Sequence, residues 1–196
     1  MNEIIFASHN QGKIAEIRQI LESLGIKVIG SDEIDLPEIE ETGTTFEENA
    51  ALKALAISKL KNVPCLADDS GLCVDALDDR PGVYSARYAP NRNFQKAMEK
   101  LLNEINNTHS MNRNAHFSCV LVLAYPNGNY QAFEGRVDGQ ISSEPKGKNG
   151  FGFDPVFIPN GYDKTFAELG SEVKNKISHR GEALHKFVTY LKQKGL

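Results

Sequence analysis

Apolar positions recur along the 196-residue chain in two alternating rhythms, and their order predicts an α/β protein. Glu3 to Ala7 reads as a short strand running into a polar loop, Ser8 to Lys13. Ile14, Ile17, Leu21 and Leu24 then repeat at helical spacing as far as Gly25, a residue suited to ending a helix. Ile26 to Ile29 can form a second strand, and the acidic stretch from Ser31 to Gly43 reads as a loop. Thr44 and Thr45 each have a glutamate three residues later, Glu47 and Glu48. Such a capping box predicts a helix through Phe46, Ala50, Leu52, Leu55 and Ile57 to about Lys61. A short apolar strand from Val63 to Ala67 is expected to deliver Asp68-Asp69-Ser70-Gly71 at its carboxyl end.

Phe94, Ala97, Met98, Leu101, Leu102 and Ile105 form the best helical stripe in the chain. His116 to Tyr125 and Tyr130 to Val137 flank Pro126-Asn127-Gly128-Asn129, whose Asn-Gly step favours positive φ and predicts a β-hairpin. A second lobe is expected to begin or end near this hairpin. Lys146 to Pro155 is a glycine-rich loop, and the chain from Thr165 onward reads as helical with Ser178 as an internal cap. No repeat, low-complexity tract or linker divides the sequence, so residues 1–196 are expected to form one domain.

Lys and Arg total 22 against 26 Asp and Glu, a formal net charge of -4, which argues against general affinity for a nucleic-acid backbone. An anionic ligand must then be met by a local basic site or a bound cation. The longest apolar run, Cys119 to Tyr125, is far short of the ~20 residues that cross a bilayer. Met1 to Ala7 lacks the basic-then-apolar layout of a leader, so a soluble cytoplasmic protein without membrane partners is expected. Cys65, Cys73 and Cys119 include no C-x-x-C pair and read as buried reduced thiols rather than zinc or redox groups.

Ser8-His9-Asn10-Gln11-Gly12-Lys13 lies between a strand and a helix start, where backbone N–H groups and the positive dipole end favour a phosphate. It lacks the Walker spacing, and an ordinary turn is the alternative. Two groups of acids, Glu38, Glu40 and Glu41 in the acidic loop and Asp68-Asp69 after a strand, could together hold Mg²⁺ against substrate phosphates. A solvated loop and an Asx turn are the plainer readings of the same residues. Lys53 sits in an Ala-rich helix and can equally face solvent. Lys174, His179 and Arg180 gather donors around Ser178, either for a phosphate or base carbonyl or as a surface patch. Phe151 and Phe153, between glycines, suit either a core or the stacking of a base.

Taken together, the segments Ala7 to Lys13, Glu40-Glu41-Thr42-Gly43 and Phe46 to Ala50 with Lys53 closely resemble the inosine triphosphate pyrophosphatase family, which includes the bacterial dITP/XTP pyrophosphatases. Ala67 to Leu72, Pro81 to Tyr88, Gly150 to Pro155 and Ser178 to Gly181 carry the same resemblance, which spans essentially the whole chain. It implies an elongated, two-lobed α/β fold with a long mixed central sheet flanked by helices, an active-site cleft between the lobes, and a homodimer. It also implies Mg²⁺-dependent hydrolysis of non-standard purine nucleoside triphosphates to monophosphate and pyrophosphate.

By that resemblance, Ser8, His9, Asn10, Gln11, Gly12 and Lys13 contact the triphosphate and Lys53 assists there. Glu40, Glu41 and Asp69 hold the metal, and Asp69 doubles as proton acceptor. Ser70, Phe151, Gly152, Phe153, Asp154, Lys174, His179 and Arg180 bind the nucleotide. His9 departs from the family, in which glycine is common at this position. A Maf-like pyrophosphatase of modified pyrimidine triphosphates and a non-catalytic nucleotide-binding regulator are the competing readings, and the Ser178-His179-Arg180-Gly181 run favours the purine one.

Overall fold

The computed structural model describes residues 2–195; Met1, the first residue of the segment read for a leader, and Leu196 lie outside them. The order is β1 (Glu3–Phe6), α1 (Gln11–Glu22), β2 (Lys27–Ile29), α2 (Phe46–Lys61), β3 (Cys65–Val74) and β4 (Arg80–Pro81). There follow α3 (Phe94–Asn107), β5 (Asn114–Ala124), β6 (Tyr130–Ile141), β7 (Phe157–Pro159), α4 (Phe166–Leu169), α5 (Ser171–Ile177) and α6 (His179–Lys194). Short 3-10 turns occupy Asp75–Leu77, Gly82–Arg87, Pro90–Arg92 and Asp154–Val156. The strands hydrogen-bond in the order β2-β1-β3-β5-β6-β7, with β4 on β3. β1 runs parallel to β2 and β3, whereas β4 and β7 pair antiparallel, so the sheet is mixed.

The chain resolves into two compact units. The first takes in the chain up to Asp69, Cys119–Gly135 and the chain from Arg180. Its strands bury both faces, which is why they read as continuous apolar runs. On one face, Phe6, Leu66 and Leu121 pack with Ile14, Ile17 and Leu21 of α1 and with Leu184 and Phe187 of α6. On the other, Ile5, Cys65, Ala67 and Val122 pack with Ala50, Ala54 and Ile57 of α2. The second unit, Ser70–Ser118 with Arg136–His179, has its own core of Leu72, Val74, Phe117 and Phe157 against Ala97, Met98, Leu101 and Ile105 of α3.

α1 ends at Glu22 with Ser23 as its C-cap, so Gly25, the expected end, lies two residues further on at φ 79°. Thr45 caps α2 in a full capping box with Glu48. Gly128 at φ 89° turns the connection from β5 to β6, where Tyr125 N–H donates to Asn129 O at 2.9 Å. The main correction concerns β3. It does not stop at Ala67 but runs on through Asp68, Asp69, Ser70 and Gly71 to Val74, so the acids lie within a buried strand. Gly71 permits this course, since a Cβ there would meet Gly82 O at 2.1 Å. The terminal helical region is interrupted at Gly170, at φ 82°, and again at Ser178, which is extended at ψ 159°.

Candidate active site

β1 ends in register with the start of β3: Phe6 is opposite Leu66, and Ala7 N–H donates to Leu66 O at 2.8 Å. After Ala67, β3 therefore reaches the two acids just past the carboxyl end of β1. Side chains alternate across a strand, and here the alternation assigns each acid a helix. Asp68 follows Leu66 onto the face covered by α1 and α6, and Asp69 follows Ala67 onto the face covered by α2.

On the first face, Asp68 Oδ2 lies 3.1 Å from Lys13 Nζ of α1 and accepts from Arg180 Nη2 at 3.0 Å and Nε at 3.3 Å. Arg180 also donates through Nη1 to Glu16, one turn beyond Lys13. This chain of alternating charge is almost wholly out of water: Arg180 is 2% exposed, and the side chain of Asp68 has no exposed surface. Burial alone would push Asp68 up, but Lys13, Arg180 and Lys53 outweigh it and hold the carboxyl well below the usual carboxylate range. Arg180 is raised in turn, because Asp68 and Glu16 more than offset its own desolvation.

On the second face, Asp69 Oδ2 accepts from Asn49 Nδ2 at 3.0 Å. Asn49 is oriented by Gly43, whose N–H donates to Asn49 Oδ1 at 2.8 Å. Gly43 has to be glycine for this approach, since a Cβ would come within 2.8 Å of the same oxygen. Lys53, one helical turn beyond Asn49, bridges Asp68 O at 2.7 Å and Glu41 Oε1 at 2.6 Å. Burial raises the Asp69 pKa and Glu41 raises it further, against the lowering pull of Lys13, Lys53 and the Asn49 hydrogen bond. Lys53 is raised: three carboxylates, Asp69, Asp68 and Glu41, overcome its desolvation.

The Ser8 to Lys13 segment forms the entry to α1. Asn10 is the N-cap and accepts from Lys13 N at 3.2 Å, while Ser8 Oγ accepts from Asn10 N at 3.2 Å. The N–H groups of Gln11 and Gly12, in the first turn, have no partner within the helix and can serve an anion beside the Lys13 ammonium. His9 is turned aside, its Nε2 bonded to Leu36 O at 2.9 Å, which ties the loop to the acidic segment.

Of the two adjacent glutamates, Glu41 reaches the Lys53 pair while Glu40 is exposed. Among the described residues, Glu40, Glu41 and Asp69 do not draw their oxygens into one three-ligand cluster. Ser70 begins the second unit, half-buried on β3. In that unit Asp154 Oδ2 accepts from Phe151 N at 2.9 Å and from Lys174 Nζ at 2.6 Å, and this ion pair is almost fully buried. The Lys174 ammonium lies 4.4 Å from the Phe151 ring centroid. Gly150, at φ 75°, allows the arrangement, since its Cβ would fall 2.1 Å from Asp154 Oδ2. Gly152, at φ 65°, turns the chain between the two phenylalanines.

Two expectations need correction. Phe153 offers no face for stacking: it is 2% exposed and packs edge-on against Phe94 at 5.5 Å. Lys174, His179 and Arg180 do not form one donor cluster either. Lys174 pairs with Asp154, the His179 ring stacks on Phe117 at 4.8 Å, and Arg180 is directed to Asp68 and Glu16. Sequence reading assigned no role to Asn49, Gly43 or Glu16. The available signals were a polar residue on the buried stripe of α2 and an acid three positions after Lys13.

Comparison with known proteins places the chain in a lineage. The dITP/XTP pyrophosphatase of Bacillus subtilis (strain 168) is 50% identical over 188 residues, covering 95% of each chain. That of Bacillus licheniformis is 49% identical over 195 residues, covering 98% of this chain and 100% of the relative. Among solved structures, a HAM1 protein from Coxiella burnetii superposes with a TM-score of 0.90 at 43% identity, covering 98% of this chain and 100% of that one. The Staphylococcus aureus Ham1 protein gives a TM-score of 0.86 at 44% identity over 98% and 99% of the two chains. The model of the Ham1 family matches residues 4–190, and the chain belongs to that family.

Proposed function

We propose that this protein hydrolyses non-standard purine nucleoside triphosphates, dITP or ITP and XTP, to the monophosphate and pyrophosphate. The observation that carries the reading is the opposed environment of Asp68 and Asp69 beside Lys13 and Lys53. One carboxyl is locked in its charged form by cations, and the other is pushed toward taking a proton. Pairs of acids whose surroundings drive their pKa values apart are how a site divides structural and acid–base work. The names of the relatives support this substrate class over modified pyrimidines, and a turnover enzyme over a silent binder.

In this reading Lys13 and the first-turn N–H groups of α1 receive the triphosphate, and Lys53 adds positive charge where pyrophosphate leaves. Asp69, held in place by Asn49, takes a proton from water as the water oxygen bonds to the α-phosphorus and the bond to the bridging oxygen of the β-phosphate breaks. Asp68 keeps Lys13 and Arg180 in place. Asp69 and Glu41 fit a magnesium ion: both offer hard oxygen donors, and each disfavours the other's charge. Mg²⁺ characteristically takes one or two protein carboxylates with waters and phosphate oxygens. When bound there, it would neutralise the substrate's negative charge and polarise the phosphoryl oxygens. Glu40 is assigned to its outer surroundings. Phe151, Asp154 and Lys174 are assigned to the base, with Lys174 a donor suited to a six-position carbonyl. A single cytoplasmic enzyme domain that pairs into a homodimer completes the proposal.

The test is product analysis with Mg²⁺ on ITP, dITP, XTP, ATP, GTP and a modified pyrimidine triphosphate. Pyrophosphate should appear in step with monophosphate, fastest from the first three. Diphosphate or orthophosphate as the initial product would reject attack at the α-phosphorus.

A further inference from the structure

The second unit carries a group of metal-ligating side chains that the proposed hydrolysis does not use. A ligand atom from each of Cys73, Asp79 and His116 lies within 4.8 Å of the other two. Strand alternation brings two of them together. Leu72 and Val74 of β3, and Ala115 and Phe117 of β5, all point into the core against α3, so Cys73 and His116 both project to the opposite face. Asp79 arrives from the turn after the 3-10 segment Asp75–Leu77. Asp78 and Asp79 there adopt successive left-handed conformations, at φ 53° and 61°, and Asp79 N–H closes the turn on Val74 O at 3.1 Å.

We infer that Cys73, His116 and Asp79 form a binding site for a zinc-like divalent cation, with the fourth position open to water. One thiol sulfur, one imidazole nitrogen and one carboxylate oxygen form a donor set suited to Zn²⁺ and not to Mg²⁺ or Ca²⁺, which take all-oxygen shells. Tetrahedral zinc with bonds of ~2.0–2.3 Å puts its ligand atoms roughly 3.5 Å apart, somewhat inside the 4.8 Å that bounds the three here, so small side-chain movements close the set.

His116 Nδ1 supplies a second observation: it is buried and makes no hydrogen bond among the described residues, a cost that a metal bond or the ring's turn toward one would relieve. Burial and Arg136 both disfavour a positive charge on the His116 ring. The charged groups facing the site are Asp75, Asp79 and Asp138 against Arg136, and Arg136 is itself paired to Asp138 at 2.7 Å. Three carboxylates against one guanidinium favour a cation. Cys73 is buried while Asp79 is exposed, which provides both a dry ligand and a path of entry.

The experiment uses the full chain, reduced, stripped with chelator and kept in excess Mg²⁺, titrated with Co²⁺ and then with Zn²⁺. A single equivalent of Co²⁺ should give a thiolate-to-cobalt charge-transfer band with intense tetrahedral visible absorption, and Zn²⁺ should displace it. Cys73→Ser should abolish the band. His116→Gln and Asp79→Asn should each weaken binding more than ~10-fold, the loss caused even by an outer-sphere partner. Zn²⁺ should raise the melting temperature of the parent and not of Cys73→Ser. A parent without the band, or a band that survives in folded Cys73→Ser and is lost in Cys119→Ser, would overturn the proposal. Should Cys73→Ser fail to fold, the other two variants decide the matter by the same readout.

Discussion

Asp68 and Asp69 are consecutive on β3, yet Asp68 Oδ2 lies 3.0 Å from Arg180 and 3.1 Å from Lys13, while Asp69 Oδ2 accepts from Asn49 at 3.0 Å on the other face of the strand. A single step along a buried strand thus separates an acid whose charge is locked in place from one whose charge is disfavoured. Both carboxyls are desolvated, so the sign of each shift is decided by how many cations meet it. That contrast gives opposite predictions for two otherwise similar substitutions.

Asp69→Asn should lower kcat by at least ~10²-fold, the contribution expected of general-base help, while leaving the fold intact. The amide oxygen can still accept from Asn49, so the loss is of charge and basicity rather than shape. The raised folded-state pKa means that this group's effect on stability is most favourable below its unfolded pKa and worsens as pH rises through the folded value. The melting temperature of Asp69→Asn at neutral pH should therefore equal or exceed that of the parent. A large drop would make Asp69 a structural ion instead.

Asp68→Asn should behave in the reverse sense. Its depressed pKa contributes stability that is present above the unfolded value and lost as pH falls through the folded one. Removing the charge leaves Lys13 and the buried Arg180 without their shared counter-ion, a loss of about 3 kcal/mol or more in denaturant unfolding at neutral pH. An unfolding free energy within ~0.5 kcal/mol of the parent, the range of an ordinary surface substitution, would contradict this role.

The pH profile of kcat/KM should report the same division. An essential base must be deprotonated, so activity should fall on the acid side, and burial of Asp69 moves that limb upward from the ordinary aspartate value. The limb should move down when Glu41, which raises the Asp69 pKa, is changed to Gln. An acid limb unmoved in Glu41→Gln would assign the titration to another group.

How much of this was legible in the sequence depended on the range of the interaction. The capping box at Thr45 and Glu48, the Asn-Gly turn and the stripe of α3 are local patterns, and each was read correctly. The course of β3 was not. Asp-Asp-Ser-Gly looks like a turn because local rules exclude charge from a strand interior, and Lys13, Lys53, Arg180 and Asn49, distant along the chain, make it tolerable. Likewise Arg180 and Lys174 are close in sequence and read as one cluster, but α6 carries Arg180 to Asp68 while α5 leaves Lys174 on Asp154. The resemblance identified the acids without stating which face each occupies; strand alternation supplies that.

The separation of Lys174 from Arg180 revises the expectation for base selection. Had both donors met the base, substitution of either would have narrowed the preference for ITP over ATP. With Arg180 bound to Asp68 and Glu16, Arg180→Lys keeps the charge but loses the forked geometry that meets both carboxylates. It should lower kcat/KM for ITP and ATP by the same factor. In the proposed reading Phe151 is the aromatic face that meets the base, Phe153 being in the core, and stacking contributes ~1–3 kcal/mol per base. Phe151→Leu should therefore raise KM by about 5- to 150-fold with kcat little changed, since the lost contact is made equally in ground and transition states. Lys174→Gln should narrow the ITP-to-ATP ratio, because a donor matched to a carbonyl leaves adenine's amino group unpaired. Steady-state kinetics on both substrates separates the three variants, and a ratio that shifts in Arg180→Lys but not in Lys174→Gln would return base recognition to the start of α6.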